Sequence, residues 1–175
     1  GISNYKFFYT ITKFIILEKI LSNLINNFII NATIGDGGRT MQDLAMIRDT
    51  VMNVAEAITA ALEIETEIVN ARLEIIGGTG RYRQKIGSFE EYGDVNSGFI
   101  YGKLLKTGEN YLCIDPEQDP EYGPREGELA EICCPIKLEN RIVGLIGLVA
   151  FNEEQRKKII NNSATLMLFL ERMAE

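Results

Sequence analysis

The chain has 175 residues, 46% of them hydrophobic, which suffices for one packed domain plus an extension and argues against disorder. Eighteen basic against twenty-five acidic residues leave a net charge of −7, which disfavours direct binding to nucleic acid or to an anionic membrane surface. With no histidine, the commonest general base and zinc ligand is missing, as is the usual partner of a nucleophilic Ser or Cys, so neither a catalytic residue nor a metal site is expected.

The apolar stretch from Phe7 to Ile30 is interrupted by Lys13, Glu18 and Lys19. Each central charge in a bilayer costs roughly 2.5–3.5 kcal/mol, so a membrane span is not expected. The stretch also lacks the small-residue cleavage site of a signal peptide. Cys113, Cys133 and Cys134 are odd in number and suit a reducing compartment, which together with the leader argument gives a cytoplasmic reading. Composition changes at Ile34-Gly-Asp-Gly-Gly-Arg-Thr40. Residues 1–40 therefore read as an N-terminal helical extension, either a packing or dimer helix or a segment foreign to the domain, and residues 41–175 as the domain proper.

From Met41 to Leu62, Leu44, Ile47, Val51, Val54, Ile58 and Leu62 recur at three- and four-residue steps, which predicts an amphipathic helix lying on a sheet. Thr66 to Asn70 and Arg72 to Ile76 read as a hairpin turning at Asn70-Ala71, with Gly77-Gly78-Thr79-Gly80 breaking the second strand. A polar loop to Gly87 follows, then a helix over Gly98 to Lys106 ended by Gly108, and a strand from Asn110 to Ile114. Residues 115–130 hold three of the four prolines and many acids, which marks a surface loop. Ile132 to Leu138 and Ile142 to Phe151 flank the turn Glu139-Asn140-Arg141, with Pro135 marking a place where the first strand lacks a partner. The second strand is apolar on both faces, so both must be covered. A last helix is capped by Asn152 over Gln155 and buries Ile159, Leu166, Leu170 and Met173. Few crossover helices and many hairpins predict an α+β fold, an antiparallel sheet with helices packed on it.

Four motifs in order carry a resemblance: Gly78-Thr-Gly-Arg-Tyr82, Gly102-Lys-Leu-Leu-Lys-Thr-Gly108, Glu131-Ile-Cys-Cys-Pro-Ile136, and Gly144-Leu-Ile-Gly-Leu-Val-Ala-Phe151. From about Met41 to Glu175 the chain resembles the GAF-type sensory domain at the amino end of sigma-54-dependent transcriptional activators of clostridia-like bacteria. The resemblance implies a GAF-like sheet and a cytosolic regulatory module. In the full-length protein such a module would continue into a PAS-like domain, an AAA+ ATPase and a helix-turn-helix. Relatives often carry further cysteines in the loop before the Glu131 motif, suggestive of a metal or iron–sulfur site. That loop here has Tyr122, Gly123, Arg125 and Glu128 but no cysteine, so no cofactor is expected.

The resemblance also implies a ligand held between the sheet and the loops of one face. That makes Thr79, Gly80, Arg81 and Tyr82 candidate pocket edges, with Arg81 pairing an anionic effector. Clustered glycines there expose backbone N–H groups, yet neither a G-x-G-x-x-G nor a P-loop ending is present, and a tight turn is the plainer reading. Phe99, Tyr101 and Tyr111 are candidates for a cavity wall or for core. Cys133 and Cys134 point to opposite faces of a strand. Cys133 is the candidate for the pocket, with Cys113 approaching from a neighbouring strand, and a buried thiol acting as a small hydrophobe is the alternative. Glu126, Glu128 and Glu131 suggest a cation site or, as taken here, solvated loop charge.

The expected function is non-enzymatic sensing of a small-molecule effector, transmitted to the ATPase module through a homodimer of terminal helices. Alternatives are a thiol redox sensor using Cys133 and Cys134, a structural dimerisation module, and the free methionine sulfoxide reductase chemistry that some GAF folds carry on cysteines.

Overall fold

Helix α1 (Arg48–Leu62) buries Val51, Val54, Ala55, Ile58 and Leu62, the three- and four-residue stripe of its sequence. The structure is a computed structural model that describes residues 48–174, apart from 124 and 139 and the side chains of 138 and 173. The extension over residues 1–40, the first helical turns from Met41, and the Met173 side chain lie outside the described residues.

Five strands follow: β1 (Glu65–Asn70), β2 (Ile75–Gly78), β3 (Tyr111–Cys113), β4 (Ala130–Leu138) and β5 (Arg141–Ala150). They form one sheet in the order β2-β1-β5-β4-β3, and every pairing is antiparallel. This is the α+β architecture expected from the hairpin pattern. Even-numbered positions of β4 and β5, such as Ile132, Cys134, Ile146 and Leu148, pack with α1 and with α3 (Glu153–Asn161) and α4 (Ser163–Met173). Odd-numbered positions, Cys133, Leu145 and Val149, pack with α2 (Ile100–Thr107) and the Tyr82 and Tyr122 loops. Full burial of a large apolar side chain is worth about 1.5–3 kcal/mol, so a strand apolar on both faces is stable only between two such layers.

Two elements differ from the sequence reading. The second strand of the first hairpin is Ile75–Gly78 rather than Arg72 to Ile76, so Gly77 and Gly78 extend the strand instead of breaking it. The cause is Asn70, whose Oδ1 accepts from the backbone N–H of Arg72 at 2.9 Å and of Glu74 at 3.1 Å, holding residues 71–74 in a turn with Leu73 at φ 66°. The last helix is two helices. Asn162 leaves helical geometry at φ −122° and its Nδ2 donates to the Lys158 carbonyl at 2.9 Å, a side-chain bond that competes with helix continuation.

Other expectations hold. Gly108 ends α2 at φ 72°, where a residue without a Cβ avoids strain. Asn152 Oδ1 accepts from Gln155 N–H at 2.8 Å and caps α3. Pro135 pairs with β5 through its register partner Leu145, while β3 reaches β4 only over Glu131–Cys133, so no β3 partner needs the missing N–H.

Candidate functional site

On the loop face of the sheet, one register row runs across all five strands: Gly78, Glu67, Gly147, Cys133 and Tyr111. Glycines on both sides of Glu67 leave a trough in the sheet surface. A Cβ at Gly78 would lie 2.5 Å from Tyr82 Cβ, and one at Gly147 would lie 2.5 Å from Glu131 Oε1 and 2.8 Å from Tyr101 Oη. The trough is filled by polar groups. Glu67 and Glu131 are 0% exposed, and Tyr82, Tyr101 and Tyr122 are all buried beside them.

Each group is placed by its element. Tyr101 is held by its helix, and the helix by Glu91, whose carboxyl accepts from the backbone N–H groups of Tyr101 at 2.7 Å and Gly102 at 2.8 Å. A carboxylate there satisfies two of the open N–H groups of α2 and suits the helix dipole. Glu91 reaches it from a left-handed bend, at φ 47°, followed by Tyr92 at φ 60°. That is strained backbone stabilised by the cap. Tyr82 comes from the 3-10 turn Gly80–Lys85 that follows β2. Tyr122 and Arg125 come from the loop between β3 and β4, and both phenols, Tyr82 and Tyr122, donate to the Glu128 carboxyl.

Arg125 occupies the centre, its side chain 3% exposed. Its guanidinium lies 4.2 Å from the Tyr101 ring centre and 4.1 Å from that of Tyr122. Nη1 donates to Glu131 Oε2 at 3.1 Å and Nη2 to the Tyr122 carbonyl at 2.8 Å. Burial opposes this cation, yet Glu131, with Tyr101, Tyr122 and Glu128, holds its pKa well above the usual range. Burial pushes the Glu131 carboxyl up, against the pull of Arg125, to about 7. Glu67 is raised well above the usual carboxyl range, first by burial and then by the neighbouring Glu90. Among the described residues Arg125 Nε makes no hydrogen bond, while the Glu67 carboxyl, whose Oε1 has no other partner, lies in hydrogen-bond contact with that of Glu90. An orphan such as Arg125 Nε typically costs about 1–3 kcal/mol.

No protein-family model matches the chain. It is 27% identical over 128 residues to a putative uric acid sigma-54-dependent transcriptional regulator of Escherichia coli, a match covering 70% of this chain and 21% of that protein. The chain thus spans about a fifth of that relative. Among solved structures it resembles the GAF domain of a phosphoenolpyruvate-protein phosphotransferase from Coxiella burnetii, with a TM-score of 0.57 at 14% identity, covering 94% of this chain and 92% of that one. The chain has the GAF fold. A free methionine-R-sulfoxide reductase from Neisseria meningitidis, solved in complex with its substrate, is also similar, with a TM-score of 0.51 at 12% identity over 73% of this chain and 75% of that one.

Within this GAF fold the candidate residues part company. Tyr82, Tyr101, Cys113 and Cys133 share one buried cluster on the loop face. Thr79 faces away from it: its hydroxyl lies 2.7 Å from that of Thr59 in α1 and accepts from Thr66 N–H at 2.9 Å, which ties β2 to β1 and the helix. Gly80 and Arg81 are exposed, with the Arg81 guanidinium 4.2 Å from the Phe151 ring centre. Phe99 is partly buried and abuts Gly123, and Tyr111 donates to Asp119.

Glu128 and Glu131, taken from the sequence as solvated loop charge, are instead buried acceptors for phenol and guanidinium groups. Glu67, Glu91, Tyr122 and Arg125 were not among the candidates. Alternation offered one signal: if Cys133 faces the site, so does Glu131 two residues earlier. None of the three cysteines is disulfide-bonded and all are buried. Burial pushes the Cys113 thiol up to about 11 and the Cys133 thiol well above its usual range. Among the described residues, no group of three or more His, Cys, Asp or Glu side chains is arranged to hold a metal ion, and no helix is long and apolar enough to cross a membrane.

Proposed function

We propose that this chain is a non-catalytic sensory domain of a cytoplasmic sigma-54-dependent transcription regulator. A small-molecule effector, held on the loop face of the sheet, sets the activity of an AAA+ ATPase module elsewhere in the full-length protein, through a homodimer. One observation carries the reading: a buried cluster of tyrosines, carboxyls and one arginine lies between the sheet and its loops, with Arg125 Nε left unsatisfied. A purely structural module has little need to bury such groups, because apolar residues of similar volume are often neutral or stabilising in their place. The relative named as a regulator supports the transcriptional setting.

A reductase or thiol-switch reading needs a reactive thiolate, and burial works against thiolate formation at Cys113 and Cys133. A thermal-shift screen of amino acids, organic acids and purines, urate among them because of the relative's name, tests the proposal. An effector raises the melting temperature by mass action, and Tyr101→Phe weakens that response. If no compound moves the wild-type melt, the sensing reading fails and a dimerisation module remains.

A further inference from the structure

The occupant of the trough is a piece of the chain itself. The Arg125 guanidinium lies over two phenol rings, 4.2 and 4.1 Å from their centres, with a carboxylate oxygen 3.1 Å from Nη1. Two aromatic faces and a carboxylate form a recognition set for a flat cation. The fit of Arg125 is incomplete. Its Nε has no hydrogen bond, the Glu128 carboxyl being 3.9 Å away, and across the site Glu67 Oε1 has no partner beyond the Glu90 carboxyl beside it. Glu67 is fully buried, and its other oxygen shares the Tyr101 hydroxyl with Glu131. A ligand with donors on two edges would engage Glu131 and also reach Glu67, which Arg125 does not do.

Charge points the same way. Glu128 and Glu131 pair with the one guanidinium, and the buried Glu67 carboxyl with Glu90 beside it adjoins the same site, so an anion entering here would meet several carboxyls, whereas a cation replacing Arg125 leaves the balance unchanged. The backbone at Arg125 is tied within its own loop. It sits between Gly123 at φ 99° and Gly127 at φ 77°, and the backbone hydrogen bonds of Tyr122 and Arg125 run to Asp119 and Gly123 within the same loop. The next backbone bond to the sheet is Leu129 N–H to the Ala150 carbonyl, at 2.8 Å.

We propose that the box of Tyr101, Tyr122 and Glu131 recognises a planar organic cation, a guanidinium, an amidinium or a protonated aminoheterocycle, and that Arg125 fills it until such a ligand takes its place. This rests on the sensing reading and specifies its ligand class. Displacement of Arg125 frees the chain beyond Tyr122, up to Gly127, so occupancy of the box is converted into a change at the surface.

The test removes the internal occupant. Arg125→Ala, checked for fold by circular dichroism, is melted with millimolar methylguanidinium and, as the neutral analogue of the same shape, methylurea. The expected result is a melting temperature below wild type that methylguanidinium raises by about 2 °C or more and methylurea leaves unchanged. A folded variant that ignores methylguanidinium, or responds equally to methylurea, overturns the proposal.

Wild-type titration with benzamidine and benzamide is a second measurement that does not depend on the variant folding. Benzamidine binding with faster amide exchange at residues 125–127 supports the proposal, and benzamide binding as tightly refutes it. The two readings fail separately. A neutral or anionic effector whose binding is lost in Tyr101→Phe keeps the sensing function and overturns the cation box. Rescue of Arg125→Ala by methylguanidinium, with no wild-type response to any compound including benzamidine, keeps the box chemistry, overturns displacement and removes the sensing function.

Discussion

Tyr101 has one hydroxyl proton and two carboxyl neighbours, Glu67 and Glu131. It can donate to only one of them, so the other carboxyl must bring a proton of its own. The raised Glu67 carboxyl fits that role, giving a chain of donation from Glu67 to Tyr101 to Glu131. A consequence for pH follows. Glu131 titrates near 7 in the fold against an ordinary value of 4.5, so the folded state binds more protons than the unfolded chain between those limits. Its contribution to stability is therefore complete below pH 4.5 and is lost as pH rises through about 7, at up to about 1.4 kcal/mol per pH unit. Burial of Glu67 acts in the same direction. Chemical denaturation at pH 5, 6, 7 and 8 should show this fall in the wild type and a shallower one in Glu131→Gln; equal slopes would mean that Glu131 is ionised throughout. These residues were hard to read in sequence because an acid beside prolines and glycines ordinarily faces water. Only the spatial arrival of three tyrosines and Arg125, from segments far apart in the chain, gives Glu128 and Glu131 partners.

Elements were more legible than residues. A near-four period identifies α1 by the one face it must bury, and a continuous apolar run identifies β5 by the two. What alternation does not reveal is a turn held by a side chain: Asn70 delays β2 to Ile75, and Asn162 divides the last helix, through bonds that depend on a single amide group. Gly147 shows how an element can serve a site. Its register partners are Glu67 and Cys133, its backbone conformation needs no glycine, and its missing side chain makes room for Glu131 and Tyr101. Gly147→Ala thus tests space alone. An added methyl 2.5 Å from Glu131 Oε1 should destabilise the domain by about 1–3 kcal/mol in urea unfolding. It should also abolish the pH dependence assigned to Glu131, whereas an unchanged midpoint would show that the trough is wider than described.

At the scale of the molecule, one sheet separates two interiors of different character. The helix side is built from aliphatic side chains, with Ile58, Ile132, Leu148 and Leu170 fully buried. The loop side carries the buried charge, the left-handed residues 91 and 92 and glycine-flanked Arg125, features associated with easier local opening. Motif order alone was enough to suggest this architecture, since it depends on backbone pattern, whereas the chemistry of the loop side depends on which side chains converge. Cys133 and Cys134 are adjacent in the chain and yet lie in opposite interiors. They act as two clocks set on either side of one wall. With Cys113 and one of the pair changed to serine, the labelling rate of the remaining thiol times the opening of its own layer. Cys133 should label faster than Cys134, and a ligand in the trough should slow the first clock while leaving the second to run as before.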